Sequence, residues 1–223
     1  MDWASLRLSL ALALWTTALL LPLAILIARA LAWRRFPGKG FVEALIALPL
    51  VLPPTVLGYY MLAAAGRAAP LGQAYEAVFG GPLVFTFEGL VVASLLVNLP
   101  FAVQPLQRAF EAVPEQLREA AWCSGLSRMA TFARIELPLA WPGLASAAAL
   151  TFAHTLGEFG VVLMVGGNIP GETRTLAIAI YDRAQALDDA GAAAMAAVLL
   201  AISFVAIGLV YALDYRGRRH DRR

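Results

Sequence analysis

From Leu8 to Ala28 the sequence runs without a charged side chain, and four further long apolar stretches follow it. About 20 such residues, wound as a helix, cover the roughly 30 Å of a bilayer's hydrocarbon core. No water is present there to satisfy a peptide group, so each crossing segment must close its backbone hydrogen bonds internally, as a helix does. The runs lie at about Leu8–Ala28, Ala44–Gly66, Gly89–Gln107, Leu139–Val165 and Ala190–Leu213. Only 14% of the 223 residues are charged and 61% are hydrophobic, which excludes a soluble domain. The expected class is an all-α polytopic membrane bundle of about five transmembrane helices, in one domain over residues 1–223.

Proline modulates this plan. Pro49, Pro53 and Pro54 fall in the second run and Pro100 and Pro105 in the third. Each removes a backbone donor and crowds the preceding turn, so both spans are expected to kink. A re-entrant course is the alternative for the second. The first run is expected to remain as a helix rather than act as a cleaved signal, because Asp2 precedes Arg7 and the run is long enough to span. Cys123, the single cysteine, has no partner for a disulfide or a cysteine metal site.

Charge sets the topology. Of the 17 basic residues, thirteen lie after the first run, after the third, or in the tail that holds Arg216, Arg218, Arg219, Arg222 and Arg223. Arg7, Arg67, Arg174 and Arg183 fall on the other side. The positive-inside bias places the N-terminus outside and the C-terminus in the cytoplasm.

The segment of about 111–138 is then cytoplasmic, and it is too polar to cross. Pro114 suits a first helical position, Glu115 and Glu119 complement the helix dipole, and Gly125 suits a left-handed end. Ser127 is placed to cap a second short helix running towards Arg134. Its Met129, Phe132 and Ala133 share a face that would pack back on the bundle, and Leu137-Pro138 would end it.

These residues resemble a known pattern. Glu119-Ala120-Ala121, Gly125, Ile135, Leu137 and Pro138 reproduce the spacing EAA-x3-G-x9-I-x-LP of the loop found in ABC importer permeases. "ALPLVLPPTVLGYYML" and "TLGEFGVVLMVGGNIPGETRTLAIAIYD" are similar to the permeases of molybdate importers, a group that includes sulfate, thiosulfate and tungstate permeases. The resemblance implies a type I importer fold and a bacterial inner-membrane location. It further implies a permease homodimer, two ATP-binding subunits docked on a coupling helix, and a periplasmic molybdate-binding protein that delivers the anion. Glu119, Ala120, Ala121, Gly125, Ile135, Leu137 and Pro138 would carry the coupling. No nucleic-acid partner is implied.

The energy source should lie outside this chain. A phosphate-cradling G-x-x-x-x-G-K-[ST] would mark an ATPase, and the one Gly-Lys pair, Gly38-Lys39, lacks the upstream glycine. The chain is thus expected to be no enzyme and to bind no cofactor, with ATP and Mg2+ held by the partner subunit. A proton-coupled secondary transporter is the rival. His154 and Glu158 stand one turn apart in the fourth run, where ionisable groups are costly. Glu158 is open to a structural, a gating or a proton-transfer reading.

A hydrated dianion calls for a polar, weakly binding path. Thr55, Tyr59, Asn98, Gln104 and Glu158 are the candidates, and a kink at Pro100 would turn both Asn98 and Gln104 inward. The same amides can instead join helices. Outside, "GGNIPGETRT" at residues 166–175 places Asn168, Glu172 and Arg174 in a glycine-rich loop. That loop either lines the outer mouth, where an arginine and backbone donors meet an oxyanion or an acidic partner, or forms a rigid turn.

Overall fold

A computed structural model describes residues 1–220, with side chains described as far as Val210 and at Ala212. Arg222 and Arg223 of the basic tail lie outside the described residues. Regular structure among the described residues is helical. Helix α1 (Trp3–Trp33) opens where the Asp2 carboxylate accepts from the Ser5 N–H at 3.1 Å, an N-cap that satisfies one of the orphan donors of the first turn. It is followed by α2 (Lys39–Val51), α3 (Pro54–Ala65), α4 (Pro70–Phe79) and α5 (Phe87–Glu111). Among the described residues three helices, α1, α5 and α12 (Asp189–His220), contain segments long and apolar enough to cross a membrane. The number reaches five if each of two bent helix pairs counts as one span.

In the first such pair the second run breaks more sharply than the expected kink, as a broken span or the alternative re-entrant course would. Between α2 and α3 the axis turns by 111°. Pro53 and Pro54 are consecutive, so two donors are missing in succession, and Leu52, forced extended ahead of a proline, leaves the helix at ψ 137. Single prolines have no such effect here. Pro22 in α1, Pro49 in α2 and Pro100 and Pro105 in α5 all sit inside uninterrupted helix. One missing donor costs one bond, and the turns on either side hold.

The fourth run is also broken. Helix α9 (Trp141–Gly157) stops at Glu158, which is extended at ψ 129, and α10 (Gly160–Gly166) starts afresh after Phe159. Helix α11 (Leu176–Gln185) then leads to α12. Its first free donor, the Leu176 N–H, is taken by Ser9 Oγ of α1 at 2.7 Å, a buried bond between segments 167 residues apart.

Helices α1, α5 and α9 form the centre. Leu20, Ala24, Ala28 and Leu31 of α1 meet Ala102, Val103, Leu106 and Phe110 of α5 and Ala147 of α9. Lipid is as apolar as these side chains, so close fit rather than water exclusion holds them together. Small residues make the fit possible. A Cβ at Gly143 of α9 would lie 2.3 Å from Ala109 Cβ of α5. Helix α3 packs on α10 in the same manner, and α4 caps one end, Gly72 lying so close to the α3 terminus that a Cβ would meet the Gly66 carbonyl oxygen.

Candidate coupling element and translocation path

The polar loop folds as two short helical pieces. Helix α6 (Glu115–Cys123) begins after Pro114, which is the extended N-cap (ψ 131) and not the first helical residue as expected. Its end is a Schellman motif: Gly125 N–H donates to Trp122 O and Leu126 N–H to Ala121 O, both at 3.0 Å. Gly125 adopts φ +83 there, a region costly for any residue with a Cβ. Ser127 then caps α7 (Arg128–Thr131) by accepting from Ala130 N–H at 3.2 Å.

Two expectations fail beyond this point. The helix does not stop at Leu137-Pro138. It passes through a π-helical turn, Phe132–Glu136, into α8 (Leu137–Leu139), and the chain bends by 69° only at Ala140. Leu137 N–H reaches back to Phe132 O, and this widened turn relieves the crowding that Pro138 would otherwise impose. The packed face also differs. Met129 is 72% exposed and Ala133 is exposed, whereas Thr131 and Glu136 are fully buried and Phe132 packs on the core. Thr131 and Glu136 share the inner face because the π turn inserts one extra residue between them.

Of the motif residues, Glu119, Ala120, Gly125 and Pro138 are exposed, Ile135 and Leu137 half-buried, and Ala121 buried. Helix α6 thus turns Glu119 and Ala120 outward while Arg118 and Ala121 face in. The inner side is ionic. Arg29 Nε donates to Glu136 Oε2 at 2.6 Å, with a second bond of 3.3 Å from its Nη2 to Oε1. Arg118 Nε stands 3.4 Å from Glu136 Oε1, and its guanidinium stacks 3.4 Å over the Trp33 ring. Trp33 in turn donates from Nε1 to Phe110 O at 3.1 Å.

The path candidates separate into three environments. Thr55 and Tyr59 lie exposed on α3. Asn98 is fully buried; its amide donates to Ser94 O at 2.8 Å, and its carbonyl oxygen lies 3.1 Å from His154 Nδ1. Gln104 is not turned inward beside it. The two are six positions apart, and because α5 stays helical past Pro100, Gln104 instead lines an open cleft of about 530 Å3 with Glu43, Gln107 and Glu111. His154 stacks on Phe101 (4.0 Å between centroids) and holds Nε2 3.8 Å from Glu158 Oε2. Glu158, buried at the α9–α10 break, accepts from Val161 N–H at 3.0 Å and so caps the restarted helix.

In the outer loop Arg174 is already engaged. Its Nε donates to Asn168 Oδ1 at 2.7 Å and lies 3.6 Å from Asp182, to which the Asn168 amide also donates. Asn168 sits at φ +61, and buried Thr173 ties the loop to the Gly166 carbonyl at 2.6 Å. Glu172 remains exposed and borders an open cleft of about 710 Å3 with Arg7 and Glu88. Nearby, Gly191 N–H and then Arg183 hold the Asp188 carboxyl below its ordinary range.

Residues 21–219 match the family described as the binding-protein-dependent transport system inner membrane component. The chain belongs to this permease family. It is 50% identical to the molybdenum transport system permease protein ModB of Azotobacter vinelandii, over 94% of this chain and 93% of that one. To ModB of Escherichia coli K12 it is 35% identical over 92% and 90%, and to a probable sulfate transport system permease protein, cysT of Chlorella vulgaris, 33% over 81% and 67%. The fold is shared with a bacterial ABC transporter that imports the polysaccharide alginate, at a TM-score of 0.77 and 16% identity, over 96% of this chain and 78% of that one.

For this permease, sequence reasoning missed Glu136, Arg29 and Arg118. Glu136 occupies the unspecified position of the I-x-LP step, and its partner Arg29 is 107 residues away. Its one local signal was a carboxylate set between Ile135 and Leu137 at the end of the polar segment. The Asn98 partner of His154 was likewise hidden, since the two lie 56 residues apart.

Proposed function

We propose that this permease forms the membrane pathway of an ATP-driven importer for molybdate. What supports the substrate is the 50% identity to a molybdenum permease, which runs almost end to end in both chains. The chain works as a homodimer, with the path at the dimer interface and access alternating between the two sides. Two separate subunits bind ATP and Mg2+ and dock on the outward side of α6, where Glu119 and Ala120 lie open. A periplasmic binding protein selects the anion and delivers it near the loop of residues 166–175. The basic residues favour an external N-terminus and a cytoplasmic C-terminus in the bacterial inner membrane.

The arrangement suits delivery rather than capture. Few charges line the spans, so a strongly hydrated dianion finds no tight site in which to stall. Relatives described as sulfate permeases, at 33% identity, support sulfate as the second reading, with thiosulfate and tungstate in the same chemical class. The deciding experiment reconstitutes the permease with its ATPase and binding protein and measures which oxyanion accumulates. ATP-dependent molybdate uptake is expected. Sulfate uptake without molybdate uptake would move the assignment to the second reading, and uptake without any ATPase would overturn both.

A further inference from the structure

Helix α6 is attached to the rest of the chain by little apolar surface. Ala121 is its one buried residue, and Leu117 and Trp122 stay 45% and 41% exposed. A helix so loosely packed transmits a push only through whatever else fastens it. That fastening is Arg118, which reaches inward to Glu136 and Trp33. Glu136 is at the same time bound to Arg29 of α1, a helix at the centre of the bundle. One carboxylate therefore joins the peripheral helix to the central one.

The two halves of the joint are unequal. Arg29 holds Glu136 by two hydrogen bonds. Arg118 Nε is within charge range but makes no hydrogen bond, although it is buried. A buried donor without an acceptor is unfavourable, and a small shift of α6 would give it one. Coupling requires an element whose contacts differ between two states, and an unmade bond within charge range leaves room for such a difference. The π turn that aims Glu136 inward belongs to a class of distortion that recurs at functional positions.

We propose that Glu136 is the positioning residue through which displacement of α6 reaches α1, with the Arg118–Glu136 bond closing in one state of the transport cycle and slackening in the other. The proposal rests on the importer reading above, so its test includes an arm that does not. Cys123, the single cysteine, is exposed on α6 one turn from Glu119, and it is spin-labelled on the permease alone, before the ATPase covers that face. In Glu136→Gln, the ATPase still co-purifies and hydrolyses ATP, oxyanion uptake per ATP falls at least about tenfold, and the label at Cys123 becomes more mobile. Glu136→Asp, which keeps the charge, recovers part of both. If Glu136→Gln fails to insert, Arg118→Gln leaves the Arg29 pair intact and must show the same two effects. Unchanged uptake per ATP, or an equally immobile label in the neutral variant, overturns the proposal. Absence of oxyanion uptake in the wild-type complex sinks the importer reading, while the label still decides whether Glu136 restrains α6.

Discussion

Gly58 of α3 rests directly against Met164 of α10: a Cβ at position 58 would lie 2.8 Å from the Met164 Cβ and 3.0 Å from the Val161 Cα. One turn earlier the contact is reciprocated, since a Cβ at Gly160 of α10 would lie 2.8 Å from Pro54 Cβ. Both helices follow a break in the chain, so this crossing fixes how two otherwise short pieces sit together. Because a backbone atom is among the obstacles, Gly58→Val is expected to push the helices apart and to destabilise by about 1–3 kcal/mol. The melting temperature of the solubilised permease measures it. Gly157→Ala, with no neighbour within 4 Å of the added atom, is expected to melt like the parent.

Glu158 offers a test that separates a cap from a proton carrier. Its carboxylate accepts from the Val161 N–H at the start of α10. Glutamine keeps a carbonyl oxygen in the same place but cannot titrate. Glu158→Gln is therefore expected to transport and melt close to the parent, while Glu158→Ala loses the cap and about 0.5–2 kcal/mol. Uptake lost in Glu158→Gln at an unchanged melting temperature would assign the carboxylate to transport instead.

These two sites mark where the sequence was readable and where it was not. Hydropathy over about 20 residues reports crossing helices, and α1 and α5 follow it because their single prolines, Pro22, Pro100 and Pro105, do not interrupt the helix. Caps are also local, so the turn at Gly125 and the cap at Ser127 were readable from four or five residues. The break at Pro53-Pro54 was foreseen as a kink but not as a 111° turn, because the angle depends on what α3 packs against, namely Gly160 and Met164 far along the chain. The π turn is likewise set by tertiary contacts, since a regular helix would leave Glu136 away from Arg29. Asn98 and Gln104 were expected to turn inward together at a Pro100 kink; the continuous α5 separates them, and Asn98 instead joins α5 to α9 through His154, the alternative reading of these amides.

The outer loop is held by Arg174, Asn168 and Asp182 as a small polar unit. Asn168 tolerates its φ of +61 better than most residues, and its side chain is the bridge between the other two. Arg174→Gln removes the charge while leaving a shorter amide near Asn168. If this loop receives the binding protein, that variant should weaken its association several-fold and reduce uptake in parallel, with melting unchanged. Equal association and equal uptake, measured by titration of the binding protein onto the reconstituted permease, would leave the loop only a structural turn.

The exposed side of α6 supplies the final prediction. Glu119 faces outward and makes no contact that the permease needs for its own fold, so Glu119→Lys is expected to insert normally yet lose the ATPase during co-purification and abolish uptake. Gly125 acts on the same surface by a different route. Its φ of +83 turns the chain, and its N–H donates to Trp122 O. Alanine there carries a cost of about 1–2 kcal/mol for the left-handed conformation but keeps the bond, so Gly125→Ala should dock the ATPase weakly rather than not at all. Proline can adopt neither that φ nor donate that bond, and Gly125→Pro should dock nothing. A graded loss across glycine, alanine and proline, read as ATPase retained per permease, ties docking to the geometry of this bend. Equal retention in all three would mean that α6 keeps its orientation without it.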